Sequence, residues 1–294
     1  MDYTNLLKND AGKKSRVGIL GATRGYGYTL LAQIPKVRNM KLRIVCSRNT
    51  DECRAVLQEV GYCSDQIIVC GDIEHIKRAP DDAILITSDY HLMMSSGITA
   101  LVECTGDVTV SSDAATLALL KGINVYMVSK ETDSVCGPIL NQTAQKYGAV
   151  YSLVNGDQPR NLIDLWSWAS LLGLEIIAAG KSSEYDFVWD RETGRLDYPG
   201  CSCPAQPLQE MLKYWYYQNR ETLKGRRELL KDYLSVISAD LCEMNLVSNI
   251  TGLIPAEPSL GYPIIKTSEL ADVFIPEEDG GILKQTGTLG VFHN

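Results

Sequence analysis

The glycines at positions 21, 25 and 27 form the motif with the clearest chemistry in this sequence. Gly21, Gly25 and Gly27 follow an apolar run, residues 16–20, and open a helical pattern, residues 25–34. Gly21 permits a tight turn. Gly25 and Gly27 have no Cβ atoms, which allows the backbone to approach a pyrophosphate and the helix to pack on the strand. The helix N-terminus supplies N–H donors and the positive end of its dipole to the phosphates.

The spacing of these glycines is Gly-x-x-x-Gly-x-Gly rather than Gly-x-Gly-x-x-Gly. A glycine-rich turn without a ligand is the alternative interpretation. The place of the motif between a first strand and a helix nevertheless predicts a dinucleotide-binding loop. Besides the glycines, the expected contacts with the dinucleotide come from Thr23, Arg24 and Tyr26.

The end of the second predicted strand, residues 41–46, indicates which dinucleotide is bound. An acidic residue at this point hydrogen-bonds the ribose of NAD. Ser47 and Arg48 stand here instead, and the first acidic residue, Asp51, falls in the next predicted helix. A hydroxyl and a guanidinium suit a 2′-phosphate, and Arg24 could add to them. The sequence therefore favours NADP(H), with a solvated surface arginine as the alternative for Arg48.

Polar residues also follow two later predicted strands. Thr105 and Gly106 end one of them, and Ser129, Lys130 and Glu131 end the next. The nicotinamide of a bound cofactor lies over the carboxyl ends of the central strands. We expect Gly106 to let backbone approach the cofactor and Lys130 to reach ribose or substrate. A surface-loop position is the alternative for Lys130.

The candidate catalytic residues of the second half are Lys181 and Asp157. Lys181 follows a predicted strand, residues 175–180, and is assigned to the carbonyl or alkoxide of the substrate. Asp157 is assigned to orientation or proton transfer, and Glu131 could support either residue. A helix N-cap is the alternative for Asp157, and a solvated charge at a strand end is the alternative for Lys181.

Four residues are candidate substrate contacts: Asn155, Gln158, Arg160 and Asn249. If the substrate is phosphorylated, Arg160 and Lys181 are the candidate phosphate partners. A divalent metal on Asp157 and Glu131 is conceivable, but no metal-ligand spacing demands one, and no metal is predicted. The three histidines stand away from these motifs, so histidine acid–base catalysis is not expected.

Composition bounds the possible classes of function. The net charge of −8 argues against non-specific binding to nucleic acid. No apolar run reaches the roughly 18 residues of a membrane span, and the N-terminus lacks the apolar region of a signal peptide. Nine cysteines are an odd count, and the close pair Cys201 and Cys203 has no histidine nearby. We therefore expect reduced thiols and no zinc in a cytoplasmic protein without membrane partners.

Short apolar runs and helical patterns alternate over the first half. Helical patterns occur at residues 25–34, 51–60, 112–120 and 138–147, between predicted strands at 16–20, 41–46, 66–69, 83–86, 100–103, 124–128 and 150–153. Strand and helix in repetition predict an α/β fold with a doubly wound parallel sheet. We place this NADP-binding Rossmann domain at residues 1–154.

The pattern changes after residue 154, where an α+β domain for substrate and dimerisation is predicted over 155–294. A helix is predicted at 158–172 and the strand already mentioned at 175–180. A long helix is predicted at 226–245, where apolar residues recur at helical spacing. We expect this apolar face to pack against the sheet of the domain or across the interface of a homodimer. The segment 254–294 is rich in proline and glycine and is predicted to be irregular, with a further segment expected beyond it.

Tyr126 and Lys130 fit the letters of the Tyr-x-x-x-Lys pair of short-chain dehydrogenases. That pair must lie on one helix, where one turn brings the residues to about 6 Å. Tyr126 falls in a predicted strand, and residues four apart on a strand are about 13 Å apart. The short-chain family is therefore rejected.

Several longer motifs resemble another group of oxidoreductases. The segment ALVECTG, residues 100–106, looks like a strand end of homoserine-dehydrogenase-type Rossmann domains, and residues 122–133 resemble the next strand and turn. More specific are YSLVNGDQP at 151–159, AAGK at 178–181 and NITGLIP at 249–255. They are similar to the deoxyxylulose phosphate reductoisomerase-like (DRL) oxidoreductases. Members of this group usually carry a C-terminal SAF domain, which this sequence does not show.

The resemblance implies NADPH-linked carbonyl chemistry on a small molecule, with isomerisation of a sugar phosphate in some members. Two alternatives remain. One is a homoserine-dehydrogenase-like enzyme of amino-acid metabolism, although the aspartate and lysine helix of that family is not recognisable. The other is a non-catalytic NADP(H) sensor or scaffold.

Overall fold

The computed structural model describes residues 14–190, 192–198, 201–203, 208–234 and 236–294. The chain divides into two compact units, Met1–Val154 and Asn155–Asn294.

The first unit is built on a seven-stranded parallel sheet. Its strands are β1 (Ser15–Leu20), β2 (Met40–Cys46), β3 (Ile67–Val69), β4 (Ile84–Thr87), β5 (Ala100–Glu103), β6 (Asn124–Met127) and β7 (Tyr151–Leu153). They lie in the order β3-β4-β2-β1-β5-β6-β7, and every neighbouring pair is parallel. The connections reverse direction at β1, which makes the gap between β1 and β5 the switch point of a doubly wound sheet. The predicted Rossmann-type α/β fold is confirmed.

Helices cover both faces of this sheet. They are α1 (Gly25–Gln33), α2 (Thr50–Glu59), α3 (Ile73–Arg78), α4 (Tyr90–Met93), α5 (Val108–Leu120) and α6 (Lys130–Tyr147). One apolar core joins Ile19 to Leu31 of α1 and Leu57 of α2. A second core joins Leu101 to Leu119 of α5 on the opposite face. Burial on both sides explains why the strands are nearly continuous apolar runs.

Helix α6 begins at Lys130, so the predicted start at residue 138 was wrong. Proline is frequent at the first position of a helix, which made Pro138 look like a start. Here Pro138 lies inside the helix, and Gly137 before it is buried. A Cβ atom on Gly137 would lie 2.3 Å from Oδ1 of Asp133. The glycine therefore makes room for a buried carboxylate on the same helix.

The second unit contains two sheets. Three short strands, β9 (Val188–Trp189), β10 (Leu196–Tyr198) and β11 (Cys201–Cys203), form an antiparallel sheet. In the other sheet β14 (Thr288–His293) pairs in parallel with β8 (Ala178–Ser182), β12 (Ile254–Pro255) and β13 (Gly261–Ile264). The helices are α7 (Gln158–Leu171), α8 (Leu208–Lys213), α9 (Arg220–Leu230), α10 (Ser238–Thr251) and α11 (Leu270–Val273). The backbone of Cys201 and Cys203 lies in β11, but their side chains fall outside what the structure describes.

Three predictions for this unit were wrong. The strand predicted at 175–180 is β8 and includes Lys181, since its register is set by β14. The segment 254–294, predicted to be irregular, supplies the fully buried β14. A Cβ on Gly180 of β8 would lie 2.0 Å from the Gly290 carbonyl oxygen of β14, so these two strands lie close together. The long helix predicted at 226–245 is broken between α9 and α10, and Leu241 of the expected apolar face is exposed.

Candidate functional site

The geometry of the first unit explains why each of the three loop positions is a glycine. Gly21 has a φ of +84°, and a Cβ there would lie 2.9 Å from the carbonyl of Cys104, the residue that follows β5. A Cβ on Gly27 would lie 2.3 Å from the Gly21 carbonyl oxygen, so α1 packs directly on the loop. Gly25 has a φ of +56° and open space where its Cβ would be. The loop thus lies tightly at the switch point and leaves room above the start of α1.

The N-terminus of α1 can bind an anion. Its N-cap residue, Arg24, makes no side-chain hydrogen bond to the first turn, and that turn contains no acidic residue. The backbone N–H groups at a helix start have no partner within the helix. Thr23 is half-buried, while Arg24 and Tyr26 are exposed on either side of Gly25. Such an arrangement fits the pyrophosphate of a dinucleotide.

The carboxyl end of β2 carries the residues predicted to recognise a 2′-phosphate. The Ser47 N–H donates to the Thr87 carbonyl oxygen at 3.0 Å, which fixes the chain direction there, and Arg48 is exposed. Asn49 caps α2 by accepting from the Glu52 N–H at 3.1 Å. The Arg24 guanidinium lies 3.7 Å from the Glu52 carboxylate, a loose surface pair that contributes little stability. Two arginines therefore flank the position where NAD-binding chains place an acid.

The ends of β5 and β6 form a hydrogen-bonded shelf. The Gly106 N–H donates to Ser129 Oγ at 2.8 Å. The Thr105 N–H and hydroxyl donate to Oε1 of Glu103 at 2.7 and 2.5 Å. Glu103 is fully buried, and its Oε2 has no hydrogen-bond partner among the described residues. Glu103 was not among the site residues predicted from the sequence. The available signal was a carboxylate at the end of an apolar strand.

Lys130 and Glu131 lie in the first turn of α6. Lys130 is half-buried and Glu131 is exposed. Tyr126 lies in β6, so Tyr126 and Lys130 do not share a helix. The rejection of the short-chain dehydrogenase pair is therefore confirmed by the backbone.

A buried charged cluster lies in the second unit. The Lys181 ammonium on β8 is 2.8 Å from Oδ1 of Asp240 and donates a very short hydrogen bond to Oε2 of Glu243. The Lys181 side chain is 9% exposed, and the side chains of Asp240 and Glu243 are 0% and 1% exposed. Lys181 is therefore not a solvated charge at a strand end. Two carboxylates and one ammonium give the cluster a net negative charge, which would repel a phosphate. We therefore do not assign a substrate phosphate to Lys181.

Two hydroxyl groups complete the surroundings of Asp240. Ser183 Oγ donates to Oδ2 of Asp240 at 2.9 Å, and the Tyr262 hydroxyl donates to the same oxygen at 3.1 Å. Burial lowers the pKa of Lys181, but its hydrogen bonds to Asp240 and Glu243 outweigh that effect and raise the pKa above its ordinary value. Lys181 is thus held as an ammonium, a hydrogen-bond donor rather than a base.

Tyr262 reaches Asp240 from a strained segment. Leu260, Gly261 and Tyr262 all have left-handed backbones, with φ of 63°, 73° and 44°. A bulky residue in this region costs about 1–3 kcal/mol and persists only where the surroundings impose it. The Tyr262 ring also lies 5.1 Å from the ring of His293, at the end of β14. His293, one of the three histidines that stand away from the sequence motifs, is fully buried beside this cluster.

The remaining candidates of the second unit lie around the start of α7 and on α10. Asp157 is the N-cap of α7 and accepts from the Gln158 N–H at 2.9 Å, which is the capping alternative that the sequence left open. The Arg160 guanidinium pairs with Asp164 at 2.9 Å. The other three candidates are exposed: Asn155, Gln158 and Asn249.

Asp240 and Glu243 were missed by sequence analysis. The apolar spacing of the 226–245 segment directed attention to its leucines, although only part of that segment is helical. The available signal was a pair of acidic residues three apart within an apolar stretch, because such a pair lies on one helix face. Among the described residues, no group of three or more His, Cys, Asp or Glu side chains could hold a metal ion. Within those residues, no helix has the length and apolar character needed to cross a membrane.

The doubly wound sheet with a glycine loop at its switch point places the first unit in the Rossmann class of nucleotide-binding folds. Residues 156–294 match the family model of the catalytic domain of oxidoreductase DRL. The second unit is therefore similar to that catalytic domain, and this match confirms the resemblance drawn from the motifs of the sequence. Among curated proteins, none is significantly similar to the chain.

Solved structures with a similar fold are distant in sequence. One is the WlbA dehydrogenase from Bordetella pertussis in complex with NADH and UDP-GlcNAcA, with 16% identity, a TM-score of 0.42, and coverage of 61% of this chain and 50% of that one. A second is DOX-P reductoisomerase in complex with magnesium, with 16% identity, a TM-score of 0.40 and coverage of 58% and 46%. A third is S. aureus homoserine dehydrogenase, with 16% identity, a TM-score of 0.33 and coverage of 48% and 33%. The chain spans half or less of these three proteins.

Proposed function

We propose that this chain is an NADPH-dependent oxidoreductase that moves a hydride to or from a small polar carbonyl or hydroxy compound. The observation that carries the proposal is the joining of a DRL catalytic domain, residues 156–294, to a Rossmann unit whose glycine loop lies at the switch point. In this proposal the unit at 1–154 holds the cofactor and the unit at 155–294 holds the substrate. A sugar-phosphate reductoisomerase is one specific version.

The described residues fit a bound NADPH. Gly25 leaves open space in front of the uncapped N–H groups of α1, which would bind the pyrophosphate. Ser47 and Arg48 would bind the 2′-phosphate, with Arg24 beside them. The shelf formed by Thr105, Gly106 and Ser129 would support the nicotinamide end. The cofactor, when bound, supplies the hydride.

Lys181 is proposed as the donor to the substrate oxygen. Asp240 and Glu243 keep its pKa high, so it carries a proton at neutral pH. An ammonium has three N–H groups, and two of them face these carboxylates, which leaves one to bind a carbonyl oxygen or alkoxide. A preorganised N–H donor at that oxygen is worth most in a site shielded from water. Ser183 and Tyr262 hold Asp240, and thereby Lys181, in place.

Asp157, Lys130 and Arg160 have supporting roles in this proposal. Asp157 caps α7 and would position the Asn155–Gln158 turn against the substrate. Lys130, half-buried at the start of α6, would contact the cofactor ribose. Arg160 would have to leave Asp164 before it could bind a substrate phosphate.

The test is an NADPH-oxidation screen over small hydroxy-ketones, aldehydes and sugar phosphates, run with wild type, Lys181→Met and Lys224→Met. Lys224 is a matched control because its side chain is 72% exposed on α9. We expect turnover with wild type and Lys224→Met and a loss of about 100-fold or more with Lys181→Met. Tight NADPH binding without turnover of any substrate would favour the non-catalytic sensor instead.

A homodimer is part of the proposal. Trp168 and Leu171 on α7 are 58% and 88% exposed, and Leu172, the C-cap of that helix, is 60% exposed; Ile250 on α10 is 52% exposed. Helix α7 packs against α10, so these side chains extend over neighbouring elements. Exposed apolar surfaces of this kind mark protein interfaces. Sedimentation of wild type and Leu171→Glu would show a dimer and a monomer respectively.

A reducing compartment such as the cytoplasm is also proposed. Its support is that the seven described cysteines are free thiols. Burial raises the pKa of Cys46 and of Cys53 to about 12, so these two thiols stay unreactive.

A further inference from the structure

A cavity of about 120 Å³ lies in the second unit, apart from the Lys181 cluster. Aromatic rings form much of its wall, from Phe187, Trp189, Tyr214 and Trp215. The ring centroids of Trp189 and Trp215 are 5.3 Å apart and inclined at 55°. A cavity of about 150 Å³ with an apolar lining holds one benzene ring. The Trp189–Trp215 pocket, as we call it, is therefore close to the size of a single six-membered ring.

The polar groups that this pocket offers are donors. The Trp189 indole N–H is buried and has no hydrogen-bond acceptor among the described residues. The Lys266 ammonium lies 3.9 Å from the centre of the Trp215 ring and 4.7 Å from the centre of the Tyr216 ring. A buried indole N–H normally has a partner, so an empty one points to a missing acceptor. Burial lowers the pKa of Lys266, and the nearby Glu269 carboxylate opposes that effect.

Two other polar side chains of the wall already have hydrogen-bond partners. Arg226 donates to the carbonyl oxygens of Tyr214, Trp215 and Ile264. It also donates to both carboxylate oxygens of Glu269, at 2.6 and 2.9 Å. These bonds use all five N–H groups of a guanidinium. The Asn294 side-chain oxygen accepts from the N–H and the hydroxyl of Thr267.

We propose that the Trp189–Trp215 pocket binds a small organic anion with a planar apolar body. The ring of the ligand lies against the aromatic side chains of the wall, and its carboxylate accepts from Lys266 and from the Trp189 N–H. Dispersion and aromatic contacts favour a flat ring over a puckered one. The two donors favour a carboxylate over a neutral group. This inference rests on the second unit alone and stands whether or not the chain oxidises NADPH.

The test is a titration of the whole chain with benzoate, followed by tryptophan fluorescence and by calorimetry. Benzyl alcohol, cyclohexanecarboxylate and acetate are the comparison ligands, because each lacks one feature of the proposed ligand. For a ligand of this size we expect a Kd on the order of 1 mM or tighter. Each comparison ligand should bind at least about tenfold more weakly. Benzyl alcohol binding as tightly as benzoate, or no saturable binding of benzoate, would overturn the proposal.

Variants distinguish the contributions of the two hydrogen-bond donors, Lys266 and Trp189, to ligand binding. Lys266→Met should weaken benzoate binding at least about tenfold, and Lys266→Arg should retain most of it. Trp189→Phe keeps an aromatic ring and removes the N–H, so several-fold weaker binding is expected. Lys231→Met is the control, since Lys231 is exposed on the surface. Unchanged affinity in both Lys266→Met and Trp189→Phe would refute the assignment, and the wild-type ligand series decides the matter even if a variant fails to fold.

Discussion

The buried Lys181 cluster leads to a quantitative prediction for Lys181→Met. The substitution keeps the length of the side chain and removes its charge, so two carboxylates lose their cation. Asp240 still accepts from Ser183 and Tyr262, whereas Glu243 loses the short bond from Lys181 at 1% exposure. Breaking a buried ion pair by removing one partner costs about 3–5 kcal/mol. We expect the variant to lose this amount of unfolding free energy in the second unit.

The chain provides a selective assay for this loss. All four tryptophans, Trp166, Trp168, Trp189 and Trp215, lie in the second unit. Their fluorescence during urea unfolding therefore reports on that unit without interference from the first. With an m-value of about 1–3 kcal/mol per molar urea, the midpoint should fall by roughly 1–5 M. Lys224→Met, on the surface of α9, should stay within about 0.5 kcal/mol of wild type.

A double variant tests the cause of the loss. Adding Glu243→Gln to Lys181→Met removes the uncompensated charge, so the double variant should be more stable than the sum of the two single effects. The coupling energy should be about 1–3 kcal/mol. A Lys181→Met protein within 1 kcal/mol of wild type would show that the cluster is not desolvated, and the argument for an ammonium held by two buried carboxylates would be refuted.

Four further predictions concern the pH dependence of Glu269 and of Lys181, the glycine loop and Tyr262. Burial raises the pKa of Glu269, but its bonds from Arg226 and from backbone N–H groups lower it to about 2, below the ordinary value of 4.5. The Arg226–Glu269 pair should therefore stabilise the second unit above pH 4.5 and lose that effect as the pH falls towards 2. Urea midpoints measured against pH would show this loss of stability. The same loss in Glu269→Gln would contradict its assignment to Glu269. Lys181 has a raised pKa, so its contribution should be complete below pH 10.5 and lost only above it, and an earlier alkaline loss absent from Lys181→Met would be inconsistent with it. Gly27→Ala should destabilise the first unit by about 1–3 kcal/mol, measured by circular dichroism melting, because its Cβ would meet the Gly21 carbonyl oxygen at 2.3 Å; an unchanged melt would mean that α1 lies farther from the loop. Tyr262→Phe should cost about 1–3 kcal/mol in the urea assay, since Asp240 loses a buried donor, and a stable variant would show that Ser183 alone satisfies Oδ2.

The sequence predicted the first unit well because its signals are local. Seven apolar runs became seven strands, with ends shifted by a residue or two, and Gly21 appeared where the first strand turns into α1. The start of α6 was misplaced because Pro138 is a start signal in most contexts, and only the buried Asp133 beside Gly137 explains a helix that runs through it.

The second unit was harder because its site depends on long-range pairing. Lys181 could be selected from its strand, but its partners lie on α10, about sixty positions later in the chain, and no local spacing connects them. Strand β14 was missed because Thr288–His293 is flanked by turn residues, and its burial comes from β8, β12 and β13 on both sides. The strained backbone of Tyr262 leaves no signature in the sequence either.

The central claim is that the first unit binds NADPH and that Arg48 selects its 2′-phosphate. The direct measurement is a calorimetric titration of wild type, Arg48→Ala and Arg38→Ala with NADPH and with NADH. Arg38 is a matched control, because both arginines are exposed and lie at opposite ends of β2. A charge-assisted bond to phosphate is worth about 1.5–3 kcal/mol, so Arg48→Ala should weaken NADPH about 10- to 100-fold and leave NADH unchanged, while Arg38→Ala changes neither. Tighter binding of NADH than of NADPH by wild type, or equal losses for both dinucleotides in Arg48→Ala, would contradict the claim.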